Sequence, residues 1–150
     1  MAILNKFEFD KVIKKLDTAK VNLPARLSKV AHDFFLDKFT HQNWDGKEWQ
    51  DVKRREEGTP EYKYPKSKDL ARRTRAPLLG KSRNLLKSVN NSQRTATWQE
   101  IRLGSDVTYA AYNNEGTATI PQRRFMGHSP ELDKQVKAEI KKQLDKVLKG

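Results

Sequence analysis

The sequence predicts an α+β fold, in which a small antiparallel sheet packs with N-terminal and C-terminal helices and a long extended basic loop or arm is added. Three observations predict it. Apolar residues recur at helical spacing in residues 7–41 and 130–149, and they alternate over residues 97–103. Between these patterns, residues 42–80 show no sustained period. With 150 residues in all, the chain fits a single domain.

The N-terminal region predicts two helices, over residues 7–20 and about residues 24–41. Asn22 offers a cap between them, and Pro24 suits the first turn of the second helix. The second helix has a broad apolar stripe, and its phenylalanines are expected to form much of the core. That stripe consists of Leu27, Val30, Ala31, Phe34, Phe35 and Phe39.

Residues 42–80 predict a long extended arm or loop. Three prolines interrupt the segment, and a structureless stretch of this length is typically functional or mobile. The formal net charge of the chain is +12, and residues 51–88 hold 12 Lys or Arg against 5 Asp or Glu. We expect deletion of residues 46–76 to leave a folded monomer that cannot assemble. The predicted interaction residues are Trp44, Trp49, Arg54, Arg55, Tyr62, Tyr64, Arg72, Arg73 and Arg75.

Residues 81–128 predict an antiparallel sheet region. One or two helical turns run into a strand, and residues 90–92, Asn-Asn-Ser, are typical of a turn, so we expect a hairpin over about residues 86–103. Residues 118–120 predict a further short strand that Pro121 ends.

The C-terminal segment predicts an amphipathic helix over residues 130–149. Ser129 is suited to cap it, and Pro130 suits its first turn. Its expected apolar stripe is Leu132, Val136, Ile140, Leu144 and Val147 or Leu148.

Catalytic, metal and cofactor sites are not predicted. The sequence has no cysteine, which excludes disulfides and cysteine nucleophiles or ligands. His32 and His41 are nine residues apart, whereas two metal ligands on one helix face need a spacing of three or four. Phosphate-loop, nucleophile-elbow and zinc-protease motifs are absent. We therefore expect no enzyme, no metal and no cofactor, and no membrane contact, because no apolar run approaches the length of a bilayer span.

The cation-rich segment permits two interpretations. Its cations could neutralise phosphates while its aromatic side chains stack on bases, as in proteins that bind single-stranded nucleic acid. Alternatively, the same residues form a solvated arm whose aromatic side chains attach it to a neighbour. No helix-turn-helix, zinc-finger or ribonucleoprotein motif accompanies the charge. Composition alone does not choose between the two interpretations.

Three motifs follow one another in the second half of the chain: LLGKSRNLLKSV at residues 78–89, IRLGSDVTYAAYNNEG at residues 101–116 and IPQRRFMGHS at residues 120–129. With the terminal helix, this order resembles the phage virion morphogenesis family. The chain departs from the family at Arg124, where members usually have proline, and at Asn113, where they often have histidine. The residues that carry the resemblance are Gly80, Leu85, Gly104, Asp106, Tyr109, Ala110, Gly116, Pro121, Arg123, Phe125 and Gly127.

The resemblance implies a structural virion protein of a tailed phage or prophage that acts at tail completion or at the head-to-tail junction, as neck and tail-terminator proteins do. Such proteins usually assemble as rings around the DNA channel, commonly with six subunits. The implied partners are further copies of the chain, portal, adaptor or tail-tube proteins, and DNA in the channel. The implied location is the virion, after synthesis in the host cytoplasm. The alternative is a basic nucleic-acid-binding protein or assembly chaperone that is not retained in the virion.

Residues 104–116, GSDVTYAAYNNEG, are among the least charged in the chain. Gly104 is expected to end a strand, and Val107, Tyr109 and Ala110 are expected to pack a short irregular or helical element under the sheet. The segment therefore predicts a structural corner and not a catalytic pocket.

Overall fold

The computed structural model describes residues 9–65 and 69–149 of the chain. The α+β prediction, with helices at both ends and antiparallel strand pairs, is confirmed. Short 3₁₀ helices occupy Lys53–Arg55 and Leu70–Arg73. The strands pair as β1 (Asn43–Trp44) with β2 (Lys47–Glu48) and β3 (Thr95–Ala96) with β4 (Ile101–Arg102). The α-helices are α1 (Phe9–His41), α2 (Pro60–Lys63), α3 (Asn84–Asn91), α4 (Ala110–Glu115) and α5 (Pro130–Lys149).

Helix α1 is continuous through Pro24, so the prediction of two N-terminal helices is wrong. A proline inside a helix cannot donate to the carbonyl four residues earlier, which here is the carbonyl of Lys20. The indole Nε1 of Trp98 donates a 3.0 Å hydrogen bond to that carbonyl. A side chain 78 residues away thus replaces the backbone bond that proline removes. Residues 7 and 8 of the first predicted helix lie outside the described part of the chain.

Helix α5 lies antiparallel along α1. Near its start, Lys38 of α1 forms a 3.1 Å ion pair with Glu131. Near its end, Gln143 and Val147 are buried beside the earlier turns of α1. The predicted stripe is only partly correct, because Leu144 is 45% exposed.

The predicted cap of α5 is confirmed. The Oγ of Ser129 accepts hydrogen bonds from the backbone N–H groups of Glu131 and Leu132, at 3.2 and 3.3 Å. Ser129 is fully buried, and its hydroxyl also donates to the Oδ1 of Asp45 in the β1–β2 turn. The cap therefore joins the end of the chain to the hairpin that follows α1.

The core contains Phe34, Phe35 and Phe39 of α1, as predicted, together with two tryptophans that were predicted to lie on the arm. The ring centroids of Phe39 and Phe125 are 5.1 Å apart, and the ring of Trp49 meets Phe39 edge-on at 5.9 Å. Such aromatic pairs stabilise a core beyond the area they bury. The buried cluster comprises Phe34, Phe35, Phe39, Trp44, Trp49, Leu85, Val89, Ala110 and Phe125.

The start of residues 42–80 folds back onto the body and is not extended. Asp45 and Gly46 have φ angles of 48° and 78°, the left-handed conformation that a tight hairpin turn requires. The backbone N–H of Trp49 donates to the carbonyl of Gln42 at 2.7 Å and closes the hairpin. This turn carries both tryptophans back to the core. Residues 66–68 of the predicted arm lie outside the described part of the chain.

The predicted hairpin over residues 86–103 is wrong in its first half. Residues 84–91 form α3, because Leu85 and Val89 lie one turn apart on a helix face that is buried. The true hairpin is shorter and turns at residues 97–100. The predicted strand at residues 118–120 is also wrong: the Oγ1 of Thr117 accepts from the backbone N–H groups of Thr119 and Ile120 and forms a local turn instead.

Candidate interaction surfaces

The first two motifs are joined by a small polar cluster. The hydroxyl of Ser88 lies 2.5 Å from the hydroxyl of Ser105 and donates to Asp106 Oδ1 at 2.7 Å. The backbone N–H of Asp106 donates back to Ser88 at 3.2 Å. Since each polar group is engaged by a neighbour, the cluster fixes α3 against the loop before α4.

The second and third motifs are joined by Asn114. Its Oδ1 accepts from the backbone N–H groups of Phe125 and Met126, both at 3.0 Å, and its Nδ2 donates to the Met126 carbonyl at 3.1 Å. The backbone N–H of Arg123 donates to the carbonyl of Asn113 at 2.7 Å. The expectation of a structural corner in this segment therefore agrees with its contacts. Tyr109 is an exception, because it is 43% exposed while Ala110 is buried.

The third motif also holds the start of the arm. Arg123 is buried, and its guanidinium donates to the carbonyls of Gln50 and Asp51 at 2.9 and 3.3 Å. Burial lowers the pKa of Arg123, and the charge of Asp51 opposes that shift. The indole N–H of Trp49 donates to the carbonyl of Arg124 at 2.8 Å. Deleting residues 46–76 would remove these contacts and the buried Trp49, so we expect the deletion to destabilise the monomer as well as to prevent assembly.

The four glycines of the motifs differ in whether the local backbone conformation or a close neighbour excludes a side chain. Gly116 has a φ of 76°, and a Cβ there would lie 3.0 Å from the backbone nitrogen of Gln122, so only glycine fits without strain. Gly127 has a φ of 140°. Gly80 and Gly104 would each place a Cβ in open space. The corner therefore needs glycine at residues 116 and 127 and has no steric need of it at the other two.

Most of the predicted interaction arginines have partners inside the chain. Arg54 donates to the carbonyls of Arg72 and Arg75, at 3.0 and 3.2 Å. Arg73 donates to the carbonyl of Tyr62 at 2.6 Å, and its guanidinium lies 4.8 Å from the centre of the tyrosine ring. These contacts tie the two 3₁₀ helices and α2 together.

Of the other residues predicted to form an interaction surface, two arginines form ion pairs within the chain and two residues are exposed. Arg75 pairs with Asp69 at 2.7 Å, and Arg55 pairs with Asp51 at 3.0 Å. Arg72 is exposed, and Tyr64 is 78% exposed. Trp44 and Trp49 are only 9% and 8% exposed, so their assignment to an interaction surface is corrected.

We call residues 52–65 and 69–75 the arm surface. Within it, Arg54 is partly buried and has other arginines close by. Burial lowers the pKa of Arg54, and the like charges of Arg72 and Arg123 lower it further. The surface includes a groove of about 480 Å³ whose lining includes Pro60, Tyr64 and Arg72. The lining holds four cations, Lys53, Arg54, Arg72 and Arg73, and two carboxylates, Glu61 and Asp69.

A second cationic surface was not predicted from the sequence. The groove between α1 and α5 is lined by Lys14, Lys15, Arg26 and Lys146. Its signal in the sequence is the four-residue spacing of Lys14, Thr18, Asn22 and Arg26, which places these residues along one face of a helix.

The histidines do not converge. His32 is buried and lies 3.3 Å from Asp33 and 3.2 Å from the carbonyl of Asn90. Burial alone would raise the pKa of Asp33, but hydrogen bonds from Lys29 and His32 outweigh it and lower that pKa. Over residues 9–65 and 69–149, no group of three or more histidine, aspartate or glutamate side chains is arranged to hold a metal ion. No helix in the same ranges is long and apolar enough to cross a bilayer.

Comparison of the chain with protein-family models, with curated proteins and with solved structures found no match.

Proposed function

We propose that this protein is a structural virion protein of a tailed phage or prophage, acting at tail completion or at the head-to-tail junction as the subunit of a ring. The observation that carries the proposal is the order of the three motifs at residues 78–89, 101–116 and 120–129. Their contacts support it, since Ser88 and Asn114 join the three motifs into one corner. The proposed mechanism is binding and geometry, without covalent chemistry.

The exposed apolar side chains support a role in assembly. Val21 is 77% exposed, Leu148 72% and Tyr112 57%. A subunit that buries such residues against further copies of itself gains stability on association. The proposed partners are those copies, portal, adaptor or tail-tube proteins, and DNA in the channel.

The arm is proposed to contact a neighbouring subunit through its outer part. The first residues of the arm are held against the third motif, because Trp49 donates to the carbonyl of Arg124 and Arg123 donates to the carbonyl of Gln50. Of the arm residues predicted to interact, Tyr64 and Arg72 are exposed aromatic and cationic side chains in that outer part. Aromatic and arginine side chains are the residue types that most often dominate interface energies.

The test is quantitative mass spectrometry of particles purified by density gradient from the phage or induced prophage that encodes the chain. We expect the protein at a fixed ratio to the portal protein, and the ratio should survive a high-salt wash. The control is a non-structural protein of the same phage, which should be depleted through purification. Absence of the chain from purified particles would sink the proposal and favour the alternative, a basic nucleic-acid-binding protein or assembly chaperone.

A further inference from the structure

The groove between α1 and α5 is lined by four cations and by no acidic residue. It has a volume of about 480 Å³. Its four cations form no ion pair with any residue in the described ranges. Asp10 and Asp17 lie near Lys14 on α1 but are not part of the lining, and on α5 Glu139 lies 3.9 Å from Lys142 and Asp145 lies 3.9 Å from Lys149. The lining comprises Lys14, Lys15, Thr18, Ala19, Asn22, Arg26, Gln143, Lys146 and Val147.

The spacing of these groups suits a linear polyanion. From Lys14 to Arg26 the helix rises roughly 18 Å, at 1.5 Å per residue. Phosphates recur about every 3.4 Å along the axis of each strand of duplex DNA, so cations at the two ends of the stripe, Lys14 and Lys15 at one and Arg26 at the other, reach separate phosphates of one duplex. Lys146 projects into the groove from α5, so charge is supplied from both of its walls.

The neutral polar side chains of the groove are used by their own helices. Thr18 Oγ1 donates to the carbonyl of Lys14, and Asn22 Nδ2 donates to the carbonyl of Thr18, both at 3.0 Å. Gln143 donates to Glu139 at 2.6 Å. The charged donors of the groove are therefore the cations, and contacts from cations to phosphates hold a protein on a duplex without carrying sequence information.

We propose that the α1–α5 groove binds the sugar-phosphate backbone of double-stranded DNA without reading its sequence. The inference rests on the proposed function, since a ring at the head-to-tail junction surrounds DNA. It places the DNA contact on the helical pair, because the arm uses most of its arginines inside the chain. An acidic protein surface is a poorer fit, because the groove offers no exposed aromatic anchor.

The test is fluorescence anisotropy of purified protein with two duplexes of unrelated sequence, each about 30 base pairs, between about 50 and 200 mM NaCl. We expect equal affinity for both duplexes. In the variant K14Q/K15Q/R26Q/K146Q, the slope of log K against log salt should become shallower by about 3 to 4, at 0.9 per phosphate contact.

The matched control is K47Q/K87Q/K134Q/K137Q, which removes the same formal charge from exposed lysines outside the groove. We expect its slope to change by less than about 1. Equal losses in the two quadruple variants would overturn the inference, as would unchanged binding in the groove variant. Preference for anionic lipid vesicles over DNA at equal charge concentration would also overturn it.

Two further measurements keep the result interpretable. Circular dichroism should show the same thermal transition for the groove variant and the wild type, and K14R/K15R/K146R should bind DNA as the wild type does. If the protein is present in particles but the groove variant binds DNA normally, the inference fails and the proposed function stands. If the groove is required for DNA binding but the protein is absent from particles, the proposed function fails alone.

Discussion

The two cation-rich regions of this protein use their charge differently. In the arm surface, Arg54 and Arg73 donate to backbone carbonyls and hold short helical segments together. In the α1–α5 groove, Lys15 and Arg26 have no ion-pair partner among the described residues. The planar guanidinium suits fixed bonds to carbonyls, whereas the lysine ammonium is a flexible point charge. A high density of cations along a sequence therefore does not by itself locate the surface that binds an anion.

The largest effect we expect inside the arm tests whether its arginines are structural. Arg54→Gln removes charge-assisted bonds to the carbonyls of Arg72 and Arg75, so it should lower the free energy of unfolding by about 1 to 3 kcal/mol. Arg72→Gln alters an exposed side chain and should change it by less than about 0.5 kcal/mol. Urea denaturation measures both. Equal changes in the free energy of unfolding would show that the hydrogen bonds of Arg54 do not stabilise the arm.

An intermediate effect is expected in the helical pair, where Trp98 supports α1 at Pro24. Trp98→Phe removes the hydrogen bond to the Lys20 carbonyl and should destabilise the protein by about 1 kcal/mol. In a Pro24→Ala background the backbone N–H of residue 24 can bond that carbonyl, so the same substitution should have a smaller effect. A double-mutant cycle measured by thermal denaturation gives the coupling. A coupling energy of zero would mean that Trp98 does not compensate for the proline.

The smallest effect concerns the ion pair of Asp69 with Arg75 on the arm. The hydrogen bond from Arg75 lowers the pKa of Asp69 below 3.8. The pair therefore contributes its stability above pH 3.8 and loses it as the pH falls through the lowered pKa. In Arg75→Gln, the pKa of Asp69 should rise towards its ordinary value, which a carboxyl carbon NMR titration would detect. The same substitution should leave the lowered pKa of Asp33 unaltered, since Asp33 contacts Lys29 and His32 and not the arm.

Local patterns in the sequence predicted those elements whose partners are near in the chain. The phenylalanine stripe of α1 and the Ser129 cap of α5 follow from helical spacing and from the orphan N–H groups of a first turn. The two errors with the clearest cause are Pro24, expected to begin a helix, and Trp49, expected on the arm. Each was wrong because a distant group supplies its partner: Trp98 for the carbonyl before the proline, and Arg124 for the indole of Trp49.

Of the two candidate surfaces, the sequence located the arm surface but not the α1–α5 groove. The sequence located the arm arginines, but it could not show that Arg54 and Arg73 donate within the chain, because their acceptors are carbonyls that every residue carries. The groove was missed because its cations come from Lys14 and Lys146, which lie at opposite ends of the chain.

By itself, the sequence determined the fold class, the apolar faces of the helices, the excess of positive charge and the order of the three motifs. Only the tertiary structure decided which cations are engaged and which are free, and that Arg123 holds the base of the arm through the carbonyls of Gln50 and Asp51. The physical reason is that periodicity and capping act over a few residues. Hydrogen bonds such as that of Trp49 to Arg124, 75 residues apart, exist only once packing has brought the two segments together.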